Sequence, residues 1–123
     1  MRAKAIVIGS GLLKGTYPRC TADLKSADND AQAMAAFAEK RGFDLVGPGG
    51  TKAPFLSAQA KKNDIMGAVT NAATELEGGD ILLFFYSGHG ATLPPTVGSS
   101  FKQQRETWSL LDGRLWDFEW NNL

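Results

Sequence analysis

The order of its segments predicts a three-layer α/β domain, with helices on both faces of a mostly parallel sheet. Two observations predict it. Apolar segments alternate β-α-β-α-β along the chain, which sets parallel strands side by side through right-handed crossovers. The third strand, Asp80-Ile81-Leu82-Leu83-Phe84-Phe85-Tyr86, is apolar on both faces, as a strand covered from both sides must be.

Ala5 to Ile8 is short, contains β-branched residues and stops at Gly9, so it reads as a buried strand. Residues 9–20 hold three glycines and a proline and read as a loop. A helix is predicted from near Asp28. That places Asp30 in the first turn, where a carboxylate meets the positive end of the helix dipole. Met34, Phe37, Ala38 and Arg41 follow at helical spacing, and the apolar ones form one face with Ala31. Gly42 ends that helix. Phe43 to Val46 reads as the second strand, closed by Gly47-Pro48-Gly49-Gly50. A second helix runs from about Gln59 to Glu77, with Ile65, Val69, Ala72, Ala73 and Leu76 turned inward, and ends at Gly78-Gly79. Residues 91–106 read as a long mobile loop. Thr107–Leu111 and Arg114–Trp116 form a hairpin about Asp112-Gly113, and a tail holds Phe118 and Trp120.

The chain has 123 residues, the size of one domain. Its 13 basic and 13 acidic residues cancel, and no basic block offers a footing for nucleic acid. At 43% hydrophobic and 21% charged it is not a disordered chain. The four apolar residues Ala5–Ile8 are too few for a secretory core of about 7–15. The longest apolar run, Ile81 to Tyr86, falls short of the ~18–20 residues of a membrane span. The expectation is a soluble, cytoplasmic protein with no membrane or nucleic-acid partner. One cysteine, Cys20, and one histidine, His89, allow no internal disulfide and no zinc cluster.

That histidine stands at the carboxyl end of the third strand, in Tyr86-Ser87-Gly88-His89-Gly90. Open α/β sheets place their ligands beyond that end of the strands. Flanking glycines let the backbone turn tightly and a substrate come close. His89 is thus a candidate acid–base group, the alternative being a core histidine with a fixed partner. A phosphate-binding loop is the weaker alternative. Gly9-Ser10-Gly11-Leu12-Leu13-Lys14-Gly15 fits neither the Walker spacing nor G-x-G-x-x-G, because Lys14 fills the sixth place.

Phe85-Tyr86-Ser87-Gly88-His89-Gly90 after an apolar strand resembles the catalytic-histidine motif of the caspase-like cysteine peptidases (family C14, clan CD), above all the metacaspases and their bacterial relatives, the orthocaspases. Lys4-Ala5-Ile6-Val7-Ile8-Gly9 resembles the family's first strand. Leu24-Lys25-Ser26-Ala27-Asp28-Asn29-Asp30-Ala31 resembles its L-x-G-x-x-N-D-A segment. Arg41-Gly42-Phe43, Gly79-Asp80, Glu106-Thr107-Trp108 and Leu111-Asp112-Gly113 extend the likeness in order from about residue 3 to 120. The resemblance implies a three-layer α-β-α caspase-like (caspase-hemoglobinase) fold. Residues 1–123 would form a single large-subunit (p20-like) domain, incomplete at its C-terminus and stopping before the strand that bears the nucleophile.

The implied chemistry is peptide hydrolysis by a cysteine–histidine dyad. By resemblance His89 is the acid–base group and the Gly90 amide helps to hold the oxyanion. The family's cysteine follows the histidine in a segment like D-x-C-x-S-G, which this sequence lacks. The nucleophile is therefore expected on a second polypeptide or a C-terminal p10-like segment. Cys20 is a plain semi-buried residue, a pocket-lining one or, least favoured, a catalytic thiol. Asp30, with Ser87 and Gly88, matches the family's substrate pocket and implies cleavage after Arg or Lys. Asp30 serving only the helix terminus stays open. The Arg of Asp-cleaving caspases is replaced by Leu24. Lys102 and Arg105 are possible processing sites or simply solvated charges. Asp112 and Asp117 match two acidic positions of a calcium site, but Phe118 takes the next, so no cofactor is expected. The alternative to a peptidase is a non-catalytic p20-like scaffold or regulator.

Overall fold

The computed structural model describes residues 1–11, 25–88, 90–93, 105–110 and 113–116. The strand β1 (Ala3–Ser10) lies at the centre of a parallel sheet. On one side it pairs over its whole length with β4 (Ile81–Gly88), from Ala3 opposite Ile81 to Ser10 opposite Gly88. It also pairs with two short strands: β2 (Asp44–Leu45) at Lys4 and Ala5, and β3 (Phe55–Leu56) at Ile8 and Gly9.

Alternation along β1 builds the three layers. Ala5 and Val7 pack under Ala31, Ala35 and Ala38 of helix α1 (Lys25–Lys40). Ile6 and Ile8 turn the other way, onto Ile65, Val69 and Ala72 of helix α2 (Lys62–Glu75), with Phe55 and Leu110 in the same cluster. Each fully buried Ile or Phe contributes about 1.5–3 kcal/mol. A second, antiparallel sheet joins β5 (Gly90–Leu93), β6 (Arg105–Leu110) and β7 (Gly113–Trp116). Leu110 anchors it in the α2-side core.

The strand that follows α2, β4, lies beside β1 on the side away from β2. Among the described residues the strand that β4 pairs with is β1. No helix among them is long and apolar enough to cross a membrane.

Several boundaries differ from the sequence expectation. Helix α1 is already formed at Lys25, ahead of the predicted start, because no Gly or Pro between Lys25 and Asp28 interrupts it. Asp28, not Asp30, is the first-turn carboxylate. Phe37 is not on the core face: it is 51% exposed and stacks on the Arg41 guanidinium, 5.0 Å from the ring centre. The core face is made of alanines, which let the helix lie close on the sheet. Helix α2 is shorter at both ends, residues 57–59 form a 3-10 turn, and Ala73 is exposed. The predicted loop 91–106 is a strand at each end, with Leu93 paired to Arg105. The hairpin register sets Leu110 opposite Gly113, so Gly113 belongs to the strand and not to the turn.

The end of the sheet away from the strands' carboxyl termini is held by charge. Lys4 pairs with Glu75 across β1 and α2. The Asp80 carboxylate accepts the Arg2 amide at 2.7 Å and the Glu77 amide at 2.9 Å. These backbone donors hold the Asp80 carboxyl below its ordinary range, and the Lys4 ammonium does the same for Glu75.

Candidate active site

Three strands end together at the carboxyl edge of the sheet. Gly9 of β1 stands between Leu56 of β3 and Ser87 of β4, and Ser10 stands beside Gly88. Position 9 has to be glycine for the site to form. A Cβ there would lie 2.8 Å from the Ala27 carbonyl oxygen, 2.9 Å from the Ala31 Cβ and 3.0 Å from the Asp28 Cα. The early turns of α1 therefore rest directly on Gly9 and carry Asp28 and Asp30 to this edge.

Asp30 is exposed and accepts a hydrogen bond from the Ser87 hydroxyl at 3.2 Å, joining residues 57 positions apart. The Ser87 hydroxyl points to the α1 side because alternation along β4 sets it on the face of Leu83 and Phe85. On the other side of β1 the Ser57 hydroxyl donates to Asp28 Oδ2. Ser57 holds a positive φ of 44°. Sequence reasoning passed over Asp28, Ser57 and β3. Asp28 sat inside a segment already singled out, whereas nothing around Ser57 signalled a role.

Gly88 is crowded in the same way as Gly9. A Cβ would come within 2.7 Å of the Tyr86 hydroxyl and 2.9 Å of the Ser10 carbonyl oxygen. Ser10 itself is fully buried. The chain then leaves the parallel sheet at Gly88 and enters the antiparallel one at Gly90, whose partner is Trp108. His89 is the single residue between the two strands and lies outside the described residues, as do Cys20, Asp112 and Asp117. Asp30, Ser87 and Gly88 stand at one edge of the sheet.

Among the described residues no three His, Cys, Asp or Glu side chains gather as a metal site would need. A shallow hollow bounded by Glu39, Phe43, Asp44 and Lys52 lies near the opposite end of β1, beside Lys4 and Ala5, away from this edge. What this edge can do chemically is present a carboxylate with a hydroxyl beside it, next in sequence to an imidazole with glycines on both sides.

The caspase-domain model of the C14 peptidases matches residues 2–121. Among solved structures, the crystal structure of protein GSU0716 from Geobacter sulfurreducens superposes with a TM-score of 0.84 at 30% sequence identity. The match covers 99% of this chain and 44% of that one, so the chain spans less than half of that protein's length. No curated protein matches. With the caspase-domain model matching residues 2–121 and the described residues forming a parallel sheet with a helix on each face, the chain belongs to the caspase domain family of peptidases.

Proposed function

We propose that this chain is the histidine-bearing, p20-like part of a metacaspase-type cysteine endopeptidase that cuts peptide bonds after Arg or Lys. The Ser87–Asp30 hydrogen bond carries this reading, because it holds a carboxylate at Ser87, which precedes His89 by two positions in the sequence. A guanidinium or ammonium entering there meets a fixed anion, and Ser87 limits how the carboxylate turns. His89 takes the thiol proton, leaving a thiolate to attack the scissile carbonyl. It then returns the proton to the leaving amine. The Gly90 amide helps to hold the oxyanion. Gly88 and Cys20 line the pocket.

The thiolate comes from outside these 123 residues, on a further segment or a second polypeptide. In support, the only cysteine, Cys20, precedes His89, whereas the family's nucleophile follows it. The same observation favours the second reading, a non-catalytic p20-like scaffold or regulator. A panel of matched peptides offered to the full-length protein separates them. Cleavage after Arg or Lys supports the first, cleavage after Asp refutes its specificity, and no cleavage of any peptide favours the second.

A further inference from the structure

We infer that Asp28 is a positioning residue: through Ser57 it fixes the early turns of α1 against the sheet and so sets where the Asp30 carboxylate stands. This rests on the reading of Asp30 as the anchor for a cationic substrate side chain.

Two local costs stand side by side here. Ser57 holds a φ of 44°, a left-handed conformation that residues other than glycine seldom take. Asp28 Oδ1 is shut off from solvent and has no hydrogen-bond partner among the described residues. A buried acceptor left unpaired and a strained backbone persist where the surroundings over-determine them, as they do at functional sites. One hydrogen bond, from the Ser57 hydroxyl to Asp28 Oδ2, joins the two.

The geometry says what the bond does. Asp28 lies over Gly9, and Gly9 has β3 on one flank and β4 on the other. Asp28 reaches sideways to Ser57, the residue after β3. Asp30 reaches the opposite way, to Ser87 on β4. Two carboxylates two positions apart on the helix therefore straddle β1 and tie α1 on both flanks. With the Ser57 tie cut, the exposed Asp30 is held from one side only, by a bond already at 3.2 Å.

Binding of Nα-acetyl-arginine amide to the full-length protein, read by calorimetry, tests this without requiring turnover. Asp30→Asn weakens binding about tenfold, the worth of a hydrogen bond to a charged group. Asp28→Ala and Ser57→Ala each weaken it about threefold to fivefold, the coupling expected within one network. Asp28→Asn stays within about twofold, because its amide oxygen still accepts from Ser57. In the Asp30→Asn background Asp28→Ala adds nothing.

Ser57→Gly separates positioning from support of the fold. It relieves the positive φ, so it melts higher than Ser57→Ala, yet it binds as weakly. Binding that follows stability across these variants overturns the inference. So does wild-type binding by Asp28→Ala and Ser57→Ala when Asp30→Asn binds poorly, or a loss in Asp28→Ala that survives undiminished in the Asp30→Asn background. Wild-type binding by Asp30→Asn refutes the pocket itself, and the positioning role falls with it.

Discussion

Replacing Gly9 with alanine adds one methyl group at the point where α1 rests on the sheet. The new Cβ would sit 2.8 Å from the Ala27 carbonyl oxygen, 2.9 Å from the Ala31 Cβ and 3.0 Å from the Asp28 Cα. Two of these three atoms are backbone, so no side-chain rotation relieves them. The early turns of the helix must lift by several tenths of an ångström. Overpacking of this kind costs about 1–3 kcal/mol. Removing a glycine from a strand returns about 0.5–1 kcal/mol of backbone entropy. The net is a loss of about 0.5–2 kcal/mol, which lowers the melting temperature of a domain this size by roughly 2–10 °C. Lifting α1 also draws Asp30 from Ser87. Thermal melting followed by circular dichroism reads the first effect, and binding of Nα-acetyl-arginine amide reads the second. A Gly9→Ala protein that melts at or above the wild-type temperature refutes the close packing of α1 on β1.

Phe37→Ala tests the corrected face of α1. A side chain stacked on Arg41 at the surface costs no more than about 1 kcal/mol, whereas a core phenylalanine costs about 3–5 kcal/mol, and urea denaturation tells the two apart. Asp80→Ala removes the acceptor of the Arg2 and Glu77 amides. Because the Asp80 carboxyl titrates below its ordinary value when folded, its contribution is full above the unfolded value and is lost as the pH falls through the folded one. The stability gap between wild type and Asp80→Ala is therefore present at neutral pH and closes in acid. A gap that stays constant on acidification contradicts that account.

The long, strongly patterned elements were legible in the sequence. Ile65, Val69 and Ala72 announced α2, and the apolar run from Ile81 announced β4, because each repeats a period over many residues. Phe55–Leu56 did not, since a two-residue strand after Pro54 has no period to read. Phe37 was misplaced because hydrophobicity alone does not say that the facing sheet leaves room only for alanines. At the site, the motif marked Asp30 and Ser87 separately. Their hydrogen bond depends on β4 lying beside β1 and on Gly9 letting α1 approach, facts spread over 57 positions of sequence. The Asp28–Ser57 bond depends on β3, so it was invisible for the same reason β3 was.

The central claim is that the carboxylate Ser87 holds at the carboxyl edge of the sheet selects a cationic side chain for cleavage. The direct measurement is kcat/KM of the full-length protein on two peptides that differ only in Arg or Asp before the scissile bond, before and after Asp30→Asn. The account predicts that the Arg peptide is cleaved and the Asp peptide is not, and that Asp30→Asn lowers kcat/KM for the Arg peptide by about tenfold or more. Preference for the Asp peptide, or an Arg preference untouched by Asp30→Asn, would contradict it.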